Sequence, residues 1–376
     1  MKKSIVNNTF RGLAGAFALT AAALTGGCEE PPVPLLPTDL MVSPGTAALQ
    51  DVTESVQLSA TVTDQNGATM EDVTVHWQSG DRRVVAVDSR GMATAMEEGT
   101  AMVSAFVAEL VDSVSISVQL GPRGVLLRVY NELGGPDWNS DTNWGTTAPL
   151  DSWTGVGTDA AGNVTQLVLS GNGLDGVIAP DIGLLEHLEE LNLSGNDGLR
   201  GSLPPEIGNL RNLVSMNFNN SGLGGNIPPE IGNLQSLTTF TNVSPDFSPG
   251  TLKGPIPPEF GNLASLEVVD LTGNVLSGPI PPELGKLSNL RNFNVQRNGL
   301  TGTLPAEFAN LESLTSLRIN ANPMSGLLPG ELTRLTVGRF YWNATHLCAP
   351  ADEAFQEWLE SIRDHRGAGP EDCQDG

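Results

Sequence analysis

Cysteine, histidine and positive charge are all scarce in this chain. Only 3 Cys and 4 His occur among its 376 residues, and their spacing resembles no zinc motif. Lys and Arg number 19 against 43 Asp and Glu, a formal net charge of -24 at pH 7. A surface this acidic is repelled by phosphate backbones, so nucleic acid is not expected as a partner. Aromatic residues make up only 5% of the chain, and the single long apolar run lies at Leu13 to Leu24; no internal stretch is apolar enough to span a membrane as a helix. P-loop, G-x-S-x-G and H-E-x-x-H patterns are absent. His76, His187, His346 and His365 lie far apart in sequence, with no metal-ligand spacing. Asp64-Gln-Asn66-Gly67 begins like a calcium loop but lacks the later ligands, and a tight turn explains it better. The chain is therefore expected to be no enzyme, with no cofactor and no metal.

What the chain has in quantity is Gly (43) and Pro (26), which favour turns over long helices, and a length that calls for several modules. At the N-terminus Lys2, Lys3 and Arg11 precede the apolar run, which is followed by Thr25-Gly26-Gly27-Cys28. This resembles a bacterial lipoprotein signal, although Leu24 lies four residues before Cys28 where the pattern has three. The resemblance implies export, cleavage after Gly27 and lipidation of Cys28; an ordinary signal peptide with an incidental cysteine is the alternative. A Pro-rich tether follows, from residue 29 to 37. Cleavage removes three bases and no acid, taking 19 bases to 16 and the net charge to -27. The remaining pair, Cys348 and Cys373, favours a disulfide in an exported protein.

Residues 38–120 alternate apolar and polar positions in short runs, as in Val56-Gln-Leu58-Ser-Ala60-Thr-Val62 and Val73-Thr-Val75-His-Trp77, separated by turn signals. That is the pattern of a small β-sandwich. The wording "QLSATVTD", "HWQSGD" and "VDSRG" resembles the bacterial Ig-like group 2 family, whose modules are mostly spacers or adhesin segments. Trp77 is expected to help fill the core, since no cysteine is available there. In residues 121–163 Val125, Leu126, Val129 and Leu133 recur at helical spacing, followed by Trp138, Trp144 and Trp153. Three Trp could form a sugar-stacking platform, but covering the open end of a repeat array is the simpler use. The "VYNELGGPDW" wording resembles the N-terminal cap of bacterial leucine-rich-repeat proteins.

The repeat itself is the strongest signal. Leu167, Leu191, Met216, Phe240, Val269, Phe293, Leu317 and Phe340 lead successive units spaced by 24, 25, 24, 29, 24, 24 and 23 residues. A near-constant period means stacked coils that bury apolar residues against their neighbours. The pattern L-x-x-L-x-L-x-x-N, followed by G-x-I-P, resembles the plant-type leucine-rich repeat, here assigned to residues 164–342. Asn172, Asn196, Asn274, Asn298 and Asn322 are expected to form an internal ladder that satisfies backbone groups, broken at Ser221 and Pro245. The fourth coil is longer by five residues, through Asn242 to Gly250. Residues 343–376 carry a short amphipathic helix (Phe355, Trp358, Leu359, Ile362) bracketed by Cys348 and Cys373, and resemble a C-terminal cap. The expected fold class is thus multidomain: an all-β Ig-like sandwich, then a leucine-rich-repeat solenoid with a parallel concave sheet and helical caps.

In such a solenoid, residues between buried leucines point onto the concave face. The central column there includes Asn192, Asn217, Thr241, Asp270, Asn294, Arg318 and Tyr341, with Arg339 on its flank. Amides and hydroxyls offer hydrogen bonds and little apolar area, which suits a polar partner. Asp270, Arg291, Arg318, Arg339 and Tyr341 interrupt the C-terminal half and form either a binding patch or charges that neutralise acids such as Glu267. The functional expectation is an exported, lipid-anchored protein of the cell surface or periplasm, touching the membrane only through its anchor and recognising another protein or peptide. A glycan- or cell-wall-binding protein is the alternative, and an accessory module of a hydrolase a third.

Overall fold

A computed structural model describes residues 34–244 and 252–369. Residues 1–33, with Cys28 and most of the tether, residues 245–251 of the long coil, including Pro245, and residues 370–376, with Cys373, lie outside the described residues.

The first module is the expected sandwich. Thr46–Leu49, Leu110–Val118, Gly99–Val107 and His76–Ser79 form a four-stranded sheet in that order. Ser55–Gln57, Met92–Ala95 and Val85–Val87 form a second sheet, and Pro37–Ser43 pairs antiparallel with Ser59–Asp64. Alternation places Leu58, Val62, Val85, Val103, Val114 and Ile116 inside, with Trp77 half-buried against them. Asp64 spends its carboxylate on its own turn, accepting from the backbone N–H groups of Asn66 and Ala68 at 2.8 and 3.0 Å. These bonds hold the Asp64 carboxyl below the usual range. The turn reading of this segment is the one the geometry supports.

The second module begins with helix α1, Pro122–Glu132, which starts on Pro as helices favour and turns Val125, Leu126 and Val129 inward. Asp51, from the sandwich, caps it: its oxygens accept from the N–H groups of Arg123 (3.0 Å) and Gly124 (2.8 Å). Arg128 reaches both ways, to Glu98 of the sandwich at 3.7 Å and to Asp181 of the first coil at 2.8 Å. Trp138, Trp144 and Trp153 are buried in a cluster of contacting rings with Tyr130. Rings packed on one another cannot offer a sugar platform, so they serve as the cap.

The coils follow in register. A ten-stranded sheet runs from Val156–Thr158, antiparallel to Val164–Val168, through Glu190–Asn192, Ser215–Asn217, Thr239–Thr241, Val268–Asp270, Asn292–Asn294, Ser316–Arg318 and Arg339–Tyr341 to Asp364–Arg366. Each coil-leading residue pairs with the next, Leu167 with Leu191 and so on to Phe340, all buried in one continuous core. The opposite side of each coil is a Pro-initiated 3-10 turn, such as Pro205–Asn209 or Pro229–Asn233. There, Gly183, Gly208, Gly232, Gly261 and Gly285 let successive turns approach: a Cβ on any of them would stand 2.3–2.4 Å from the next coil's glutamate carbonyl.

The asparagine ladder forms where Asn is present. Asn196 accepts from the N–H groups of Asn172 (2.9 Å) and Leu174 (3.1 Å) and donates to the carbonyls of Leu169 and Leu193, both at 2.9 Å. Asn274, Asn298 and Asn322 repeat this bridging between neighbouring coils. At Ser221 a single hydroxyl substitutes, donating to Phe218 at 2.7 Å and standing 3.4 Å from the N–H of Leu223.

At the far end helix α2, Glu353–Ser361, is capped by Asp352, which accepts from the N–H of Phe355 at 2.9 Å. One feature differs from the sequence expectation of a purely helical cap. After α2 the chain returns as the strand Asp364–Arg366, parallel to Arg339–Tyr341. It carries the concave face one strand further.

Candidate partner-binding face

Because successive strand residues point to opposite sides, burying Leu191, Met216 or Phe293 turns both neighbours onto the concave face. Asn192, Asn217, Thr241, Asp270, Arg318, Arg339 and Tyr341 are all half-buried there, while Asn294 is covered. Trp342 points inward and is buried. All the predicted column residues therefore line up on one surface, spaced by the sheet.

From the second coil to the sixth, these side chains are occupied with one another and with the backbone. Asn192 accepts from Ser194 Oγ at 2.7 Å, and Asn217 from Thr241 Oγ1 at 3.2 Å. Asp270 accepts from Thr272 Oγ1 at 2.6 Å and from Asn294 Nδ2 at 3.0 Å. From the sixth coil onward the pairing is incomplete. Asn292 Oδ1, Ser316 Oγ, Arg318 Nε and Asn320 Oδ1 are covered polar atoms without a hydrogen-bond partner among the described residues.

The charged patch sits next to this lapse, but its composition differs from the sequence expectation. Arg291 pairs with Glu267 at 3.5 Å, so there the neutralising alternative holds. Arg318 instead lies over the ring of Tyr341, its guanidinium carbon 5.7 Å from the centroid, while Arg366 approaches the same ring at 5.0 Å. Tyr341 donates its hydroxyl to Asp364, which also stands 3.6 Å from Arg339 and 3.7 Å from Arg366. The Tyr341 hydroxyl, then Arg366 and Arg339, hold the Asp364 carboxyl below its ordinary range. Beside these groups is a hollow of about 400 Å³ lined by Ser316, Arg339, Arg363 and Asp364 among others. Asp364 and Arg366 escaped the sequence reading. Three residues after a helix are too short a run to signal a strand, and only the alternation Asp-His-Arg hinted at one.

No group of three or more His, Cys, Asp or Glu among the described residues could hold a metal ion. All four His are exposed. Among the described residues no helix is long and apolar enough to cross a membrane.

Comparison with known proteins agrees with this architecture. Residues 38–118 match the bacterial Ig-like domain (group 2), and residues 187–210, 265–287 and 289–311 match the leucine-rich repeat. The chain is thus an Ig-like sandwich followed by a leucine-rich-repeat solenoid, two types of module typical of binding rather than catalysis. No curated protein matches it. Among solved structures it is similar to PEPR1 in the PEPR1–AtPEP1 structure, with 25% identity and a TM-score of 0.55 over 61% of this chain and 32% of that one. It is also similar to the leucine-rich-repeat ectodomain of the Arabidopsis receptor kinase HAESA, solved in complex with an N-terminally extended IDA peptide hormone ligand. There the identity is 25% and the TM-score 0.52, over 67% of this chain and 43% of that one. The chain therefore spans only 32% and 43% of those relatives' length.

Proposed function

We propose that this is an exported, lipid-anchored binding protein of the cell surface or periplasm that recognises another protein or peptide through the concave face of its repeats. Lipidated Cys28 holds the chain to the membrane, the Ig-like sandwich sets the repeats away from it, and a Cys348–Cys373 disulfide closes the C-terminal cap. One observation carries the reading: a continuous column of polar side chains, Asn192, Asn217, Thr241, Asp270, Asn294, Arg318 and Tyr341, with Arg339 flanking it, stands along a rigid sheet whose apolar groups are spent on the core. The peptide named with the HAESA structure supports a polypeptide ligand. The glycan alternative loses ground because Trp138, Trp144, Trp153 and Trp342 are buried, leaving Tyr341 as the aromatic side chain of the column.

The test has two parts. Cys28→Ala should move the chain from the membrane fraction to the soluble one, whereas unchanged fractionation would refute the anchor. The soluble Cys28→Ala chain is then incubated with envelope and culture extracts. Retained protein should be lost when Thr241 and Ser316, at the centre and in the C-terminal third of the concave face, are both replaced by Trp, and kept when Glu230, on the opposite side of the coils, is replaced by Arg. Retention of glycan alone would establish the alternative instead.

A further inference from the structure

The concave face is not uniform, and its C-terminal third has two properties that the rest lacks. The first is unspent hydrogen bonding. Four of the six covered polar atoms without partners among the described residues, Asn292 Oδ1, Ser316 Oγ, Arg318 Nε and Asn320 Oδ1, fall on two adjacent coils. The preceding coils complete comparable side chains through the Asn217–Thr241 and Asp270–Thr272 bonds, and Asp270 also accepts from Asn294. A polar atom covered without a partner is unfavourable by about 1–3 kcal/mol. A ligand that draws these side chains outward and completes them gains that energy back. The set contains acceptors, a donor and a hydroxyl that can be either, which matches a backbone presenting N–H and C=O groups in turn.

The second property is charge. Arg318, Arg339, Arg363 and Arg366 meet here with Asp364, which is already shared by Tyr341, Arg339 and Arg366. The cluster is locally positive within a chain of net charge -24, and guanidinium groups are suited to two-point recognition of carboxylates. The Tyr341 ring has two of these guanidinium groups against it, Arg318 at 5.7 Å and Arg366 at 5.0 Å from its centroid, which restrains both side chains.

We propose that the strands from Asn292–Asn294 to Asp364–Arg366 bind an extended peptide segment that carries carboxylate side chains, its backbone completing Asn292, Ser316 and Asn320 and its acids meeting Arg318 and Arg366. This rests on the reading of the chain as a protein-binding array and names the place and chemistry of that site. A glycan is disfavoured because the half-buried Tyr341 ring already has the guanidinium groups of Arg318 and Arg366 against it.

The test uses the Cys28→Ala chain and dye-labelled octapeptides with blocked ends, (Ser-Glu)4, (Ser-Gln)4 and (Ser-Lys)4, followed by fluorescence anisotropy. The acidic peptide should bind roughly tenfold or more tighter than the other two, and weaken as salt rises from about 0.05 to about 0.5 M. Arg318→Gln and Arg366→Gln should each weaken it about fivefold or more with the far-UV circular dichroism unchanged, while Arg200→Gln, on another side of the coils, leaves it as it was. Equal affinity for the acidic and basic peptides, or full affinity in both variants, would overturn the proposal. So would binding of polygalacturonate in place of the peptide. If the extracts still yield a retained protein whose binding ignores Arg318→Gln, this site falls while the protein-binding function stands. If nothing is retained, that function falls first.

Discussion

The internal asparagine ladder offers the sharpest test of what holds the solenoid together. Asn196 is fully buried and its amide serves two N–H groups, of Asn172 and Leu174, and two carbonyls, of Leu169 and Leu193. Asn196→Ala leaves all four groups without that partner, in a core where water does not reach. At about 1 kcal/mol for each group, near the low end for a buried polar group left unmade, the loss is roughly 4 kcal/mol, beyond the ordinary range of single substitutions. Ser221 holds the same place one coil later but donates to one carbonyl at 2.7 Å and reaches one N–H at 3.4 Å. Ser221→Ala should therefore lose only about 1 kcal/mol. The two variants differ little in position and in coil, so their comparison isolates the bonding. Urea unfolding followed by tryptophan fluorescence would give the two losses, and hydrogen exchange should show the Asn172 and Leu174 amides losing protection first in Asn196→Ala. Equal midpoints for the two variants would refute the reasoning, since both remove a buried polar side chain and only their bond sets differ.

Three further outcomes follow from other parts of the chain. Asp51→Ala should lower stability by about 1–2 kcal/mol and broaden the distance distribution in small-angle scattering, because the Arg123 and Gly124 amides lose the carboxylate that ties α1 to the sandwich; Asp51→Asn, which keeps one acceptor oxygen and removes a half-buried charge, should lose less. Burial pushes the Asp51 carboxyl up, against the bonds that lower it. For Asp364 the shift is downward, so its contribution is present above the unfolded-state value near 3.8 and is lost as pH falls through the lower folded one. The advantage of wild type over Asp364→Asn in urea should be full at pH 6 and shrink toward zero in strong acid; an advantage that persists there would show that the carboxylate's charge is not what matters. Finally, thiol labelling of the non-reduced protein should find no free thiol at Cys348 or Cys373, and reduction should destabilise the C-terminal cap by very roughly 3 kcal/mol for a loop of this length.

The fold was legible because its main constraint is periodic. A 24-residue spacing of apolar residues admits one arrangement in which every coil buries its leader, and the observed pairing of Leu167 with Leu191 and Leu317 with Phe340 is that arrangement. The ladder could be read for the same reason: an amide repeated at the turn of each coil has backbone groups to satisfy on both sides. Even the departures at Ser221 show as weaker bonding in the structure. The strand Asp364–Arg366 was not legible, since it is specified by the open edge of the preceding strand rather than by its own three residues.

The functional face is a different kind of problem, because its residues are selected for what they leave undone. Sequence pattern placed Arg291, Arg318 and Arg339 on neighbouring strands and could not tell a binding patch from neutralised charge. The structure separates them by partners outside the pattern: Glu267 answers Arg291, while Asp364, supplied by the cap, is divided among Arg339, Arg366 and Tyr341. Arg318 meets a ring instead of a carboxylate, and its Nε is among the covered atoms without a partner among the described residues. A core leucine is explained by its own burial, so its role can be inferred from spacing alone. An unspent guanidinium is defined by the absence of a partner nearby in space, and nearness in space across 48 residues, from Arg318 to Arg366, is what the strand beyond α2 creates. For the same reason the residues that decide what this face recognises belong to two elements, a regular coil and a cap, and substitution in either one should alter binding without altering the repeat that displays it.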